Sequence, residues 1–345
     1  MKTKDILYPF AGGLDLGCGY RLLHSPLKKK ELKHIEDNLQ DFANNFIAPT
    51  EIPLNKSLFN HFLNRNYSEL AQFFANHGIQ STLLKNKNEG LFHHLKSDSF
   101  LKAWGTIAVG NHFIELREVD GIYNHSIAQK LNLREGDILP HIHSGSGKSI
   151  EREFLLYMAK FIQQFKEDNA LISEYNGYEI KVDYQNPLAH SFIEDTLDSM
   201  QFSMFNRSLL AYKLQPWFHD QLVDLFDTPH DSIELEGDVI TTQKGIQKYS
   251  TVNQEEIAII PSAINDVSYL VKRKGIHPYI NHGTGEGVGG KSPDFYGVIT
   301  NLQNPINRKY HSAETIINYC QEVGLIEVIA TLKPWISIKN EGGKI

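Results

Sequence analysis

The sequence predicts one mixed α+β domain that covers residues 1–345. Helical and strand-like patterns are interleaved along the chain without the regular βαβ period of a doubly wound sheet, and this favours a mixed sheet. No internal repeat, low-complexity stretch or Pro/Ser/Gly-rich linker divides the sequence. A chain of 345 residues, 41% of them hydrophobic, is long enough to bury a core of its own.

Each element follows from a local pattern. Residues 28–46 place apolar side chains three and four positions apart, which predicts one amphipathic helix. Residues 105–118 are rich in β-branched and aromatic residues and predict a strand. A long helix is predicted behind Ser149 as its N-cap, and a second one over residues 190–213. Residues 327–339 predict the last strand.

The composition excludes several classes of protein. The net charge of −7 argues against a protein that coats nucleic acid through overall charge, while a local basic groove stays open. Two cysteines, Cys18 and Cys320, are too few for a disulfide scaffold. We expect a cytoplasmic protein, because the sequence lacks both the apolar core of a signal peptide and the roughly 20 apolar residues of a membrane helix. The 16 histidines are a first indication of metal or proton chemistry.

The first candidate site is the segment Asp15-Leu-Gly-Cys18-Gly. A carboxylate and a thiol three residues apart among glycines can converge on one cation, and a thiolate has enough lone pairs to bridge two metal ions. The alternative is a glycine-rich turn with a buried cysteine that acts as a small hydrophobic residue.

Two further candidates lie in the predicted strands. In Asn111-His112-Phe-Ile-Glu115, alternation along a strand places Asn111 and Glu115 on one face and His112 on the other. In His141-Ile-His143, both imidazoles share one face, an arrangement common in metal sites. The alternative for His112 is an ordinary strand histidine, and His141 is expected to be only a neighbour of His143.

Glycine-rich loops supply the remaining candidates. Residues 145–149, GSGKS, resemble the end of a P-loop, but Ile142 stands where the full pattern needs a glycine. A looser anion site of helix N-terminal N–H groups and Lys148 fits better. His230 lies beside a strand, where an exposed loop histidine is the alternative. His282 begins a glycine loop and is a candidate ligand, general base or nucleophile, against the alternative of a flexible surface loop.

Together these motifs predict a composite site. One cysteine, one aspartate and several histidines each lie beside glycines or a strand end. Thiolate, imidazole and carboxylate ligands suit Mn, Zn or Fe better than Mg or Ca.

The order and wording of the motifs resemble the RtcB family of RNA-splicing ligases. The resemblance covers nearly the whole chain: DLGCG, GTIAVGNHFIEL, HSGS, Asn206-Arg207, His230, QKGI, HGTG and LIEVIATLKPWISIKN. The D-x-G-C-G and GNHFIE segments are its most specific part. It implies an RtcB-like mixed-sheet domain with helices packed around a central metal site.

The resemblance also implies an activity. Members of this family join RNA that ends in a 3′-phosphate or 2′,3′-cyclic phosphate to a 5′-hydroxyl end, with GTP and two Mn²⁺ ions. The implied partners are GTP and RNA with broken ends, such as cleaved tRNA, and the implied protein is a monomer that needs no membrane. An accessory protein would be a further partner.

The resemblance assigns a role to each motif. It implies that His282 attacks the α-phosphate of GTP and carries GMP to the RNA. The implied metal ligands are Asp15, Cys18, His112, His143 and His230, with the Cys18 thiolate between the two ions. The implied nucleotide-binding residues are Asn111, Glu115, Asn206 and Lys339.

The sequence departs from the family pattern in two loops that the resemblance implies bind phosphate groups. Gly147 and Glu286 stand where the family has arginines, so one cation is lost and another is replaced by an anion. We hypothesise that Lys148 and Lys291 compensate. The departures keep two alternatives open: a metal-dependent nucleotidyltransferase or phosphoesterase that has lost ligation, and a non-enzymatic protein that binds RNA ends.

Overall fold

The computed structural model describes residues 1–9, 11–13, 15–48, 53–84, 98–146, 148–168, 171–173, 180–283, 298–299 and 313–340. Its helices are α1 (Lys33–Asp37), α2 (Leu39–Ile47), α3 (Pro53–Leu63), α4 (Tyr67–Ala75), α5 (Asp98–Ala103), α6 (His125–Lys130), α7 (Lys148–Glu167), α8 (Pro187–Leu214) and α9 (Glu314–Glu322). Its strands are β1 (Lys2–Lys4), β2 (Ile6–Leu7), β3 (Gly19–His24), β4 (Phe113–Ile122), β5 (Ile138–Ser144), β6 (Leu171–Ser173), β7 (Lys181–Asp183), β8 (Val223–Pro229), β9 (Asp231–Glu236), β10 (Val239–Lys244), β11 (Ile246–Lys248), β12 (Ser250–Val252), β13 (Glu255–Ile260), β14 (Ser268–Arg273), β15 (Tyr279–Asn281), β16 (Val298–Ile299) and β17 (Ile326–Lys339).

A nine-stranded sheet forms the centre of the molecule. Its strand order is β12-β13-β14-β17-β4-β5-β3-β8, and these neighbours pair antiparallel, whereas β16 pairs parallel with β17. The two edge strands, β12 and β8, approach each other, so the sheet is nearly closed. The mixed sheet with surrounding helices confirms the predicted α+β class.

The register of the sheet places site residues in two rows. Across the sheet, Phe113 of β4 lies opposite both His143 of β5 and Lys339 of β17, and His143 lies opposite Tyr20 of β3. The next row on the same face includes Glu115 and His141. Because paired residues point to the same side of a sheet, one face presents all of these side chains.

The opposite face of the sheet packs against helices. Alternate residues such as Ile114, Leu116 and Ile142 join a large apolar core with Phe205 and Leu209 of α8. This 28-residue helix is buried over most of its surface, and Asn186 caps its first turn by accepting a hydrogen bond from the backbone N–H of Leu188. In the described part of the chain, no helix combines the length and apolar character needed to cross a membrane.

Three predicted elements differ from the structure. The helix over residues 28–46 is broken at Asn38, whose backbone leaves the helical region and whose amide donates to the carbonyl of His34 at 2.9 Å. The strand predicted at residues 105–118 begins only at Phe113, because positive backbone φ angles turn the preceding segment. Ser149 is not an N-cap, since α7 already begins at Lys148.

Candidate metal centre and active site

Five side chains from separate parts of the sequence converge beside the central sheet. They are Asp15, Cys18, His112, His143 and His230, and we call them the Cys18 cluster. Cys18 precedes β3, His112 precedes β4, His143 lies on β5, and His230 lies between β8 and β9. The structure thus brings together all five residues predicted as metal ligands.

The cluster divides into two groups that share the Cys18 sulfur. One group is Cys18, His143 and His230, and the other is Asp15, Cys18 and His112; the potential ligand atoms in each group lie within 4.8 Å of one another. The Cys18 Sγ is 3.1 Å from Nε2 of His143 and 3.5 Å from Nε2 of His112. Within the groups, Nε2 of His143 is 3.3 Å from Nε2 of His230, and Nε2 of His112 is 2.7 Å from Oδ2 of Asp15.

Backbone carbonyls orient two of the imidazoles. Nδ1 of His112 lies 2.9 Å from the carbonyl oxygen of Ile107, and Nδ1 of His143 lies 3.1 Å from that of Asn111. A carbonyl only accepts, so each Nδ1 is the donor, and in the neutral form of either ring Nε2 then carries the lone pair. This is the usual arrangement of a metal-binding histidine. The turned segment before β4 therefore supplies the oxygens that orient the histidines.

Burial favours the neutral forms of His143, His230 and Cys18. The pKa values of His143 and His230 lie well below the ordinary value because burial disfavours the charged imidazole, and neighbouring histidines add to this effect. Burial, together with Asp15 and Asp231, raises the pKa of the Cys18 thiol. Neutral imidazole is the form that binds metal ions, and a coordinated thiol loses its proton.

The donor set fits divalent transition metals. Sulfur, imidazole and carboxylate suit Mn, Zn or Fe. The buried Nδ1 of His230 has no hydrogen-bond partner among the described residues. These residues could therefore hold two cations with the sulfur between them.

Glycines allow the ligand loops to approach their neighbours. Gly17 has a φ of +74°, and a Cβ there would lie 2.7 Å from the Cα of Met200 on α8. At Gly145 a Cβ would lie 2.4 Å from Oδ1 of Asp15, the same oxygen that accepts a 2.6 Å bond from the Ser146 N–H. Close packing therefore requires glycine at both positions, Gly17 and Gly145.

His282 lies beside the Cys18 cluster, directly after β15. Its ring centre is 4.8 Å from that of His230, and the two rings meet edge to face. Its Nδ1 is buried and has no partner in the described part of the chain. Burial lowers the pKa of His282, and Lys244 lowers it further. A neutral imidazole with a free lone pair is the reactive form of a histidine nucleophile.

Comparison with known proteins identifies the family. A family model described as tRNA-splicing ligase RtcB matches residues 1–289. The chain belongs to the RtcB family.

Several curated proteins are similar to this RtcB-family chain. It is 23% identical to the RNA-splicing ligase RtcB2 of Escherichia coli, over 98% of this chain and 82% of that protein. It is 22% identical to the tRNA-splicing ligase RtcB of Aeropyrum pernix, and 22% identical to that of Thermococcus kodakarensis. The matches to these two archaeal proteins span 68% of this chain and about half of each relative, 50% and 49%.

The predicted nucleotide-binding residues already have partners in this RtcB-family structure. Glu115 accepts bonds from Nε of Arg117 at 2.7 Å and from the Ser337 hydroxyl at 3.3 Å. The amide of Asn206 accepts from the N–H of Gly105 at 2.7 Å and donates to the Thr106 carbonyl at 2.9 Å. Their roles towards a nucleotide stay predictions.

The other predicted residues are placed as follows. Lys339 is buried on the same sheet face as Glu115, while Asn111 is exposed and its backbone carbonyl is the partner of His143. His141 belongs to neither ligand group. The predictions for Gly147, Glu286 and Lys291 lie outside the described residues. Those for Lys148 also stay predictions.

Sequence reasoning missed three residues that support or adjoin the site. Arg207 donates from Nη1 to the carbonyls of Gly17 at 2.6 Å and Ser144 at 2.7 Å, each next to a residue of the cluster. Tyr20 contacts four histidine rings. Burial raises the pKa of Asp231, next to His230, to about 6. Arg207 stood in the Asn206-Arg207 segment of the resemblance without a role, and the sequence signal for Tyr20 and Asp231 was adjacency to Cys18 and His230.

Proposed function

We propose that this chain is an RNA ligase of the RtcB family. It would join RNA ends that carry a 3′-phosphate or 2′,3′-cyclic phosphate to 5′-hydroxyl ends, with Mn²⁺ and GTP and through a histidine–GMP intermediate. The observation that carries the proposal is the pair of ligand groups that share Cys18, with the unpartnered imidazole of His282 directly beside them. The relatives' names, RNA-splicing and tRNA-splicing ligase, favour RNA, including cleaved tRNA, as the substrate.

In this proposal the Cys18 cluster would hold two Mn²⁺ ions. Cys18, His143 and His230 would bind one, and Asp15, Cys18 and His112 the other. When bound, such ions neutralise charge on a transferring phosphoryl group and lower the barrier to in-line attack. The chain's own residues fix the direction of the His112 and His143 imidazoles through the carbonyls of Ile107 and Asn111.

His282 would act as the nucleophile. Its ring nitrogen attacks the α-phosphorus of GTP, an N–P bond forms, the bond to the β-phosphate oxygen breaks, and pyrophosphate leaves while the imidazole releases its proton. An oxygen of the RNA 3′-phosphate then attacks the same phosphorus and displaces the imidazole. Finally the 5′-hydroxyl oxygen attacks the 3′-phosphate, gives up its proton, and displaces GMP. A cyclic phosphate is first opened by water.

One observation favours a second candidate, a nucleotidyltransferase or phosphoesterase without ligation. The carboxylate of Glu115, which the resemblance assigns to the nucleotide, is already bonded to Arg117 and Ser337. A nucleotide that needs this carboxylate would have to displace these partners. The preference for GTP over other nucleotides and the final joining of the RNA ends therefore need separate tests.

The decisive experiment is a nucleotide adduct assay. The protein is incubated with Mn²⁺ and α-labelled GTP, or α-labelled ATP, and scored for a protein adduct that is acid-labile and base-stable, as a phosphoramidate is. We expect an adduct with GTP that His282→Ala abolishes. The exposed His277, five residues earlier, provides the matched control, and His277→Ala should keep the adduct.

Two outcomes would count against ligation. Absence of an adduct with either nucleotide would exclude the histidine–GMP route. An adduct that forms while RNA with a 2′,3′-cyclic phosphate is only opened, and never joined to a 5′-hydroxyl strand, would favour the second candidate.

A further inference from the structure

Tyr20 lies at the centre of the histidines of the site. It is fully buried on β3, and its ring centre is 4.8 Å from that of His141, 4.8 Å from that of His143 and 4.7 Å from that of His230. All three rings meet it edge to face. The ring of His282 lies roughly parallel to it, at 6.5 Å. Tyr20 therefore packs against two members of the Cys18 cluster, His143 and His230, and lies beside the proposed nucleophile.

The hydroxyl of Tyr20 makes a specific bond to the proposed nucleophile. It donates to the backbone carbonyl of His282 at 2.8 Å. The other backbone bond of His282, from its N–H to the carbonyl of Gly245, is long at 3.3 Å. Tyr20 thus provides the shorter of the two bonds.

The two ends of this hydrogen bond differ in how firmly they are held. Tyr20 lies on a strand paired on both sides, opposite His143 of β5 and Thr228 of β8. His282 instead follows β15, which forms a two-stranded sheet with the short strand β11 in the described part of the chain. The hydroxyl of Tyr20 links the central sheet directly to the backbone of His282.

We propose that Tyr20 is a positioning residue that fixes the imidazole of His282 for attack, by holding its backbone carbonyl and by filling the space beside the neighbouring rings. The role as stated rests on the proposed function, because it assigns attack to His282. Rate depends steeply on the placement of a nucleophile, and a shift of about 1 Å can cost roughly 100-fold. Loss of one neutral hydrogen bond corresponds to roughly a three- to tenfold effect.

The test is Tyr20→Phe, which removes one oxygen and keeps the ring. In single-turnover measurements we expect the maximal rate of adduct formation to fall roughly three- to tenfold. The GTP concentration for half-maximal rate and the bound Mn²⁺ should stay unchanged. Tyr67→Phe is the matched control, since the Tyr67 hydroxyl bonds Asp198 at 3.2 Å, away from the Cys18 cluster, and its loss should leave the rate unchanged.

A second readout needs neither nucleotide nor metal. Diethylpyrocarbonate modifies neutral imidazoles, and mass spectrometry of the peptides gives a rate for each histidine. With the hydroxyl removed, we expect His282 to react severalfold faster than in the unsubstituted protein, because its backbone is held less firmly. The rate at exposed His277 serves as the internal reference and should not change. Tyr67→Phe should change neither rate.

The outcomes separate this proposal from the proposed function. If the unsubstituted protein forms no adduct, the ligase proposal fails, while the modification rate still decides whether Tyr20 holds His282. If it forms the adduct and Tyr20→Phe matches it in adduct rate and in modification rate, the positioning role is overturned and the ligase proposal stands. A fall in rate that accompanies loss of Mn²⁺ would assign Tyr20 to the metal site and would also overturn the proposal.

Discussion

Two buried polar clusters lie on opposite sides of β3, and they balance charge in different ways. On one side, Arg21 and Arg207 pair with Asp224 and Asp227, and we call these four residues the arginine cluster. Arg21 lies 2.9 Å from Asp224 and 3.2 Å from Asp227, and Nε of Arg207 lies 2.5 Å from Asp227. On the other side lies the Cys18 cluster, in which burial favours neutral imidazoles and a neutral thiol.

The difference distinguishes a structural cluster from one suited to a ligand. In the arginine cluster two cations meet two anions, so the charges are balanced by the chain itself. In the Cys18 cluster, Nε2 of His143 directs a lone pair at the sulfur of Cys18 and at Nε2 of His230. The thiol proton of Cys18 can satisfy one of these contacts, and the other needs a proton on Nε2 of His230. The arrangement is stabilised best by a cation that all three atoms can bind.

Removal of the shared sulfur should have the largest effect. If the Cys18 cluster holds two Mn²⁺ ions as proposed, Cys18→Ala should lose both, because both ligand groups contain this residue, whereas His230→Ala should lose one. Elemental analysis after dialysis measures the metal content. Cys320→Ala is the matched control, since Cys320 is the other buried cysteine and packs with Ile317 in a separate core.

The measurement of metal content can also contradict the distinction between the Cys18 cluster and the arginine cluster. If Cys18→Ala kept two ions per chain, the sulfur would not be shared. The Cys18 cluster would then be an ordinary buried polar group, as the arginine cluster is.

Disruption of the arginine cluster should lower the free energy of unfolding. Arg207→Met leaves Asp227 with one fewer cation and removes the donor to the carbonyls of Gly17 and Ser144. Breaking a buried ion pair from one side typically costs about 3–5 kcal/mol, and we expect a loss of this size in the free energy of unfolding in urea. The exposed Arg134→Met is the control and should change it by less than about 0.5 kcal/mol. If Arg207→Met lowered the free energy of unfolding by less than about 1 kcal/mol, the arginine cluster would not have the structural role described above.

The sequence predicted the members of the Cys18 cluster but not their support. The joint presence of their short motifs predicted a composite metal site, and the resemblance to the RtcB family assigned its five ligands, Asp15, Cys18, His112, His143 and His230. Arg207 acts through backbone carbonyls, which any residue possesses, so no pattern indicates its partners. The sequence around Tyr20 indicates only an ordinary strand residue. The register of β3 against β5 is needed to show that Tyr20 lies opposite His143.

The fold was predictable where local pattern and packing agree. The α+β class and the last strand follow from periodicity, and the structure has that strand at Ile326–Lys339. The segment before β4 has strand-forming residues, but its backbone groups bond Asn206 of α8, a partner about 100 residues away. Long-range partners of this kind leave no local signal. That one domain covers all 345 residues stays a prediction.

Asp195 is a buried carboxylate outside both clusters, and a test of its charge balance has the smallest expected effect. Unlike the carboxylates of the arginine cluster, its direct hydrogen-bond partner is the neutral hydroxyl of Tyr157. Burial raises the pKa of Asp195 to about 6, against the opposing effects of Tyr157 and Arg65. The folded protein therefore binds a proton more tightly than the unfolded chain, whose aspartate pKa is about 3.9. Stability from this group is fully present below pH 4 and is lost as the pH rises through 6.

Asp195→Asn removes this titration and lets the amide oxygen accept the bond from Tyr157. We expect the variant and the unsubstituted protein to have similar free energies of unfolding near pH 4. The variant should gain about 1–3 kcal/mol relative to it as the pH rises to 7. Urea unfolding at several pH values measures the difference, and Asp238→Asn controls for loss of an exposed charge. A difference that did not depend on pH would mean that folding does not raise the pKa of Asp195.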